Sequence, residues 1–398
     1  MTRRKIAVVT SSRADYGHLY WPLRELAARP SVEPRLIAIG PHLSPEFGHT
    51  VEEIERDGFA VDERVECLLS SDTDVGMAKT IGVATLGVAD VLARLRPDIL
   101  LLIADRYEML APAAAALVLR IPVAHIEGGE VTEGAIDDAV RNALTKLSHL
   151  HLTTTESAKR RVLAMGEEAW RVHRVGSPSL DNLRRRELIP RDALGAQLGL
   201  DLSRPTVVVT YHPVTVERET TAEAGPLFSA LERLPQQIVF CYPNADAGSR
   251  AIVERVREFC RVRTDARLFV NLPHLTYWSL LACAELFVGN SSSGIMETPS
   301  LRLPAVNVGI RQAGRERARN VLDAEPTADS IIAQARRALD PVFRASLEGM
   351  TNPYGDGHAA ERIAELLTEV PLGEKLFVKR AVPLEGLTWR HDAEAGGA

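Results

Sequence analysis

Short apolar runs rich in β-branched residues alternate with longer helical patterns along most of the chain. Ile6–Val9 leads into the polar stretch Thr10–Asp15 and then a helical pattern over Leu19–Ala28. Leu36–Ile39 stops at Gly40, and Ile99–Ile103 and Val123–Ile126 repeat the theme, each followed by loop chemistry and an Ala/Leu-rich helix. Apolar runs without polar alternation are strands buried on both faces, and helices between them make βαβ units and a parallel sheet. A second series follows Pro205, at Thr206–Thr210, Gln237–Tyr242, Leu268–Val270, Leu286–Val288 and Ala305–Val308. Between the two series, Val175–Pro178 and Arg184–Arg204 hold charges, prolines and helical segments, and read as a junction. The pattern predicts an α/β protein of two doubly wound parallel-sheet domains, 1–180 and 181–370. An extension, 371–398, is expected to pack back on the first domain and to fray at its end. Ligands in such folds gather at the carboxyl ends of the strands, here in the cleft between the sheets.

Composition narrows the class. A chain of 398 residues suggests about two or three domains. Its 45% hydrophobic and 25% charged residues are ordinary for a soluble globular protein. Lys and Arg number 47 against 53 Asp and Glu, a net charge of −6, which argues against a nucleic-acid partner. No uninterrupted apolar run approaches the roughly 18–20 residues that span a bilayer, so no membrane partner is expected. The basic start, Arg3-Arg4-Lys5, leads only into Ile6–Val9, shorter than the roughly 7–15 residues of a signal-peptide core. Cys67, Cys241, Cys260 and Cys283 lack CxxC spacing and suggest neither disulfides nor zinc. The expectation is a cytoplasmic enzyme.

Candidate chemistry lies at strand ends. Arg13, in Ser11–His18, can meet a phosphate with a bidentate fork beside a helix N-terminus, or it can pair with Asp15 and cap that helix. No GxGxxG is present, which speaks against a nicotinamide-type site. Gly289-Asn290-Ser291-Ser292-Ser293-Gly294 follows one strand and precedes a helix, so backbone amides and hydroxyls can surround an anion. Glu297 is placed to accept ribose hydroxyls or to cap, and Arg311 supplies a cation at the next strand end. Asp105 and Glu127 directly follow buried strands, and Asp137-Asp138 open the helix Ala139–Leu147. Carboxylates converging on one cleft can raise one another's pKa toward that of a general acid or base, while one of the Asp pair can simply cap its helix. His212, in Tyr211-His212-Pro213, can contact phosphate or move a proton, and Asn244 and Ser249 sit in a loop suited to a base or phosphate. Asp72-Thr73-Asp74 has the DxD form of a metal site but reads as a solvated loop, and His149 and His151 are assigned no metal.

Taken together, the chain resembles the hydrolysing UDP-N-acetylglucosamine 2-epimerases from about residue 5 to residue 370. The resemblance is carried by Ser12–Tyr16, His42–Gly48, Asp105-Arg106, His125–Glu130, Ile136–Asp138, His212-Pro213, Tyr242–Asn244 with Asp246–Ser249, Gly289–Ser292 with Glu297, and Arg311-Gln312 with Gly314-Arg315. The Ser-Arg-Ala-Asp-Tyr and Glu-Gly-Gly-Glu forms favour the hydrolysing branch. The resemblance implies two Rossmann-like domains of the glycosyltransferase-B (GT-B) type, a UDP-sugar substrate, no cofactor or metal, and a homodimer or homotetramer. It makes Asp105, Glu127 and Asp137 the catalytic carboxylates and His212 a catalytic or phosphate contact. Ser291, Ser292, Gly294, Glu297 and Arg311 match the nucleotide site, with Arg13 facing the diphosphate. Many relatives carry Lys at the position of His18, and one residue is inserted between Glu130 and Ile136, which leaves Asp137 and Asp138 as alternatives. The implied reaction releases UDP and N-acetylmannosamine by elimination to a 2-acetamidoglucal and hydration with inversion at C2. Sialic-acid biosynthesis, capsule or a secondary metabolite would each use that product. Three alternatives share the pattern: a GT-B glycosyltransferase, a non-catalytic sugar-nucleotide sensor, or the same chemistry on a UDP- or GDP-2,4-diacetamido-6-deoxy sugar. Loops His42–Gly48 and Ser70–Met77 are the expected carriers of specificity.

Overall fold

In the computed structural model, which describes residues 3–241 and 246–381, the apolar runs become interior strands of two parallel sheets. The first contains β1 (Arg4–Thr10), β2 (Val32–Ile39), β3 (Glu63–Val65), β4 (Ile99–Ile103), β5 (Val123–Ile126), β6 (Leu150–Thr153) and β7 (Val172–Arg174), in the order β3-β2-β1-β4-β5-β6-β7. The second contains β8 (Thr206–Thr210), β9 (Gln237–Cys241), β10 (Ala266–Phe269), β11 (Leu286–Gly289), β12 (Ala305–Val308) and β13 (Val321–Ala324), in the order β10-β9-β8-β11-β12-β13. Both are doubly wound, as expected. The order reverses beside β1 and beside β8, and these switch points are where crevices open in such sheets.

Burial on both faces explains the lack of polar alternation. Ile6 and Val8 pack into one core with Tyr16 and Leu19, while Ala7 and Val9 pack into another with Val88 and Leu92. The same alternation splits Val207 and Val209 from Val208 in the second sheet. The strands that the pattern left unmarked include the three-residue edges β3 and β7, where charged or polar side chains dilute the apolar signal.

Two local readings are corrected. The stretch Thr10–Asp15 is not all loop: the helix Arg13–Ala27 begins within it. Ser12 Oγ accepts from Asp15 N at 3.3 Å, and Asp15 Oδ2 accepts from Ser12 N at 3.1 Å, a capping box. The helix Asp74–Leu95 is long and apolar enough to cross a membrane by length and composition, with a mean hydropathy of 1.5. Counting uninterrupted apolar residues missed it because Lys79, Thr80 and Thr85 break the run. In this fold it lies on the first sheet, burying Ala84, Val88, Val91 and Leu92.

The chain returns to the first sheet earlier than residue 371. Ala359, Ile363, Ala364 and Leu367 form one stripe of the helix Ala359–Glu369 and enter the core of β1 and β4, where Leu376 joins them. Arg171, fully buried, donates to the carbonyls of Leu376 at 2.6 Å, Lys375 at 3.0 Å and Val378 at 2.8 Å. It also pairs with Glu168 at 2.7 Å. Charge-assisted bonds to buried carbonyls are each worth about 1.5–3 kcal/mol. Arg171→Ala is therefore expected to destabilise the protein by about 3 kcal/mol in urea unfolding. Limited proteolysis of that variant should cut first within 374–378 while the sheets remain intact.

Candidate active site

The carboxyl ends of β1, β4 and β5 face those of β8 and β11 across a cavity of about 170 Å³. Arg13, His18, Asp105, Glu127, Asp137, His212, Ser291, Ser292, Glu297 and Arg311 all line it. The chain thus brings together ten of the residues singled out from sequence. Asp137 faces the cavity. Its neighbour Asp138 turns away, accepting from Thr132 N at 2.8 Å and from Asn142 Nδ2 at 3.1 Å.

The backbone is bent where the acids project. Ala104 (φ 59°) and Glu127 (φ 69°) occupy the left-handed region at the ends of β4 and β5, a conformation that costs a non-glycine residue about 1–3 kcal/mol. Ladder bonds hold both turns: Ala104 N donates to Ile126 O and Glu127 N to Leu152 O, each at 3.0 Å. His125 Nε2 lies 2.7 Å from Ala104 O, and burial pushes this imidazole down to about 4, so the neutral ring donates there.

Each carboxylate meets a different cation. Asp105 is held by Arg141, whose guanidinium is almost fully buried and also donates to Thr132 Oγ1 at 2.7 Å and Glu130 O at 3.0 Å. Glu127 accepts from His18 Nδ1 at 2.8 Å, and His18 Nε2 stands 3.8 Å from Glu297 of the opposite sheet. Burial opposes charge on His18, but Glu127 and then Glu297 outweigh it and push the imidazole up to about 9. The same pair holds Glu127 below the usual carboxylate range despite its burial. Asp137 goes the other way. Burial and then the facing Asp105 push it up to about 6, against the pull of Arg311 at 3.9 Å.

The second sheet supplies the anion side. Gly289 (φ 150°) ends β11 where a Cβ would stand 2.0 Å from Thr210 O, so only glycine lets the serine loop turn beside β8. Asn290 organises the start of that loop. Its Oδ1 accepts from His212 N at 2.7 Å, and its carbonyl accepts from Arg311 Nη1 at 3.1 Å and Gln312 Nε2 at 3.0 Å. Burial, then the nearby Arg311, lowers His212 to about 3, so its ring is neutral. The helix after the loop is short, Ser293–Met296, and Glu297 accepts from Ser293 Oγ. Arg13 does not pair with Asp15; it reaches the opposite domain, where Leu272 O accepts from Nη1 at 3.2 Å.

Other expected residues lie elsewhere. Gly294 serves packing, because a Cβ there would meet the Phe287 ring at 2.5 Å. Ser249, first residue of the helix Ser249–Val262, lines a separate small cavity with Glu46, Asp72 and Arg250, and Asn244 lies outside the described residues. In the Asp72–Asp74 stretch Thr73 and Asp74 are exposed, as a solvated loop would be, but half-buried Asp72 accepts from Gly248 N of the second domain at 3.1 Å, and Thr73 caps the helix Asp74–Leu95. His151 is 3.0 Å from Glu167, and His149 accepts from Val123 N at 3.1 Å. Sequence reasoning assigned no role to Arg141, Arg315 or the buried Arg106–Asp246 pair, 2.6 Å apart across the domains. Only the spacing of Arg141 from Asp137 and Asp138, one helical turn away, hinted at its position.

Similarity to known proteins agrees with this geometry. The family model described as UDP-N-acetylglucosamine 2-epimerase matches residues 24–368. A Legionella pneumophila protein named UDP-N,N'-diacetylbacillosamine 2-epimerase (hydrolyzing) is 37% identical, over 94% of this chain and 98% of that protein. A Campylobacter jejuni protein named GDP/UDP-N,N'-diacetylbacillosamine 2-epimerase (hydrolyzing) is 36% identical, over 82% of this chain and 85% of that one. The structure of a Neisseria meningitidis UDP-GlcNAc 2-epimerase bound to UDP-GlcNAc superposes with a TM-score of 0.78 at 19% identity, covering 92% of this chain and 100% of that one. With two doubly wound sheets meeting at this cavity and a family match over most of its length, the chain belongs to the UDP-N-acetylglucosamine 2-epimerase family.

Proposed function

We propose that the protein is a hydrolysing 2-epimerase of a UDP-linked 2-acetamido sugar, releasing UDP and the free C2 epimer. The supporting observation is the placement of Asp105, Glu127 and Asp137 on one wall of a cavity whose other wall carries Arg311 and Ser291–Ser292. UDP-N-acetylglucosamine, giving N-acetylmannosamine, is the first substrate to test. The names of the two relatives at 36–37% identity favour a second reading, in which the sugar is a 2,4-diacetamido-6-deoxy hexose.

The chemistry follows from the charges. Loss of the C2 proton must accompany cleavage of the C1–O bond, because that proton is only weakly acidic. Arg311, Arg13 and the serine-loop amides stabilise the negative charge that grows on departing UDP. Asp137 is the best-matched base. Glu127 is held at low basicity by His18 and Asp105 is tied to Arg141, whereas a carboxyl near 6 gives up and takes a proton close to neutral pH. Its ionised form takes the C2 proton, the C1–O electrons leave on UDP, and a C1=C2 double bond forms. Water then adds to C1 and gives up a proton to Asp105, while the Glu127–His18 pair delivers a proton to the other face of C2. Neutral His212, braced by Asn290, donates to phosphate. The apolar Val83, Leu86, Leu117 and Val118, exposed on neighbouring helices of the first domain, are the surface that the expected homodimer or homotetramer would use.

Incubation with UDP-N-acetylglucosamine and, separately, its diacetamido counterpart in deuterated water is expected to give UDP and a free sugar of inverted C2 configuration, deuterated at C2 by NMR. Hydrolysis without C2 deuterium would overturn the elimination route, and glycosyl transfer to an added acceptor would favour a transferase. As Asp137 must be ionised to accept the proton, kcat/KM is expected to fall tenfold per pH unit below about 6. A profile flat from pH 5 to 7 would remove Asp137 from that role.

A further inference from the structure

Beside the cavity, Glu53 and Asp57 of the first domain meet His274 of the second. Glu53 lies in the helix Val51–Arg56, Asp57 ends that helix, and His274 begins the helix His274–Cys283. One donor atom from each of the three lies within 4.8 Å of the others. Glu53 and His274 are only 5% and 8% exposed. Even so, among the described residues, Glu53 Oε1 and Oε2 and His274 Nδ1 and Nε2 have no hydrogen-bond partner. Their closest mutual approach is 3.7 Å, too long for a hydrogen bond. A buried polar group left unsatisfied costs about 1–3 kcal/mol, and more when charged, so an unpartnered carboxylate and an unpartnered imidazole 3.7 Å apart point to something between them.

We propose that Glu53, Asp57 and His274 form a divalent-cation site that clasps the two domains at the edge of the carboxylate cavity, which His274 also lines. One imidazole nitrogen and two carboxylate oxygens are a borderline donor set, which selects Zn²⁺, Co²⁺ or Mn²⁺ over Mg²⁺ or Ca²⁺. Three protein ligands leave a fourth position for water, as in other open zinc sites. Tetrahedral bonds of about 2.0–2.1 Å would draw the donors to about 3.4 Å apart, a contraction that pulls the two helices together. The surroundings are those of a supported site. Tyr16 donates its hydroxyl to Asp57 Oδ2 at 2.8 Å, fixing that carboxylate, and the Tyr20 ring packs on the imidazole with centroids 4.8 Å apart. The consequence for the enzyme is positional, because Tyr277 and Trp278 of the helix that His274 begins line the catalytic cavity. The ligands come from separated segments, so the sequence shows no metal motif.

The test is equilibrium dialysis of the full chain against Zn²⁺ with metal analysis, and Co²⁺ titration followed by its visible absorption. One equivalent per chain is expected, undisturbed by excess Mg²⁺. Glu53→Gln, which keeps side-chain shape, and His274→Gln should each weaken binding about 100-fold or more and abolish the Co²⁺ bands. UDP binding by both variants checks that they remain folded. Substoichiometric metal in the wild-type protein, competition by Mg²⁺ at equal concentration, or variants that bind as tightly as wild type would each overturn the site.

Discussion

One imidazole stands between the two domains at the point where their charges would otherwise repel. His18 lies against Glu127 of the first domain at 2.8 Å and faces Glu297 of the second at 3.8 Å. A cleft that closed with both carboxylates ionised and nothing between them would carry like charges in a dehydrated space, where repulsion is strong. The imidazolium, between the two carboxylates, offsets that repulsion. Its contribution to the folded structure is complete below the ordinary histidine value near 6.5 and is lost as pH rises through about 9.

The same logic extends outward from His18. Asp105 faces Arg141, Arg106 spans the gap to Asp246, and Arg315 lies 3.6 Å from Glu130. Asp137 keeps a raised pKa, because burial and Asp105 outweigh Arg311, while Glu127 is held low. The outcome is neighbouring carboxylates with different proton affinities, set by their partners. This division gives one cavity a carboxylate that binds a proton near neutral pH and another held ionised. The net charge of −6 gave no sign of it, since what matters is which sheet each charge projects from.

The fold was legible where chemistry is local. The apolar runs at Ile99–Ile103, Val123–Ile126 and Thr206–Thr210 coincide with β4, β5 and β8, because strands buried on both faces need little context. Asp105, Glu127 and His212 were found for the same reason, as each closely follows such a strand. What stayed hidden depends on contacts between distant segments. Arg141 looks like any helical arginine until β4 brings Asp105 beside it, and Arg106 gains its meaning only from Asp246, 140 residues away. Gly289 and Gly294 both read as parts of an anion-binding loop, whereas in the fold Gly289 is required by the turn beside Thr210 and Gly294 by the Phe287 ring. The return of the helix Ala359–Glu369 to the first sheet also escaped, since its apolar stripe does not say which core it joins.

The balance of charge between the two domains depends on His18 being an imidazolium, and its protonation can be read directly. Long-range ¹H–¹⁵N correlation of the imidazole nitrogens, with His18 assigned by comparison with His18→Gln, follows the ring from pH 5 to 10 in the free enzyme. A ring still protonated at pH 8, with a midpoint at about 9, is the predicted result. A midpoint at or below the ordinary value near 6.5 would contradict it.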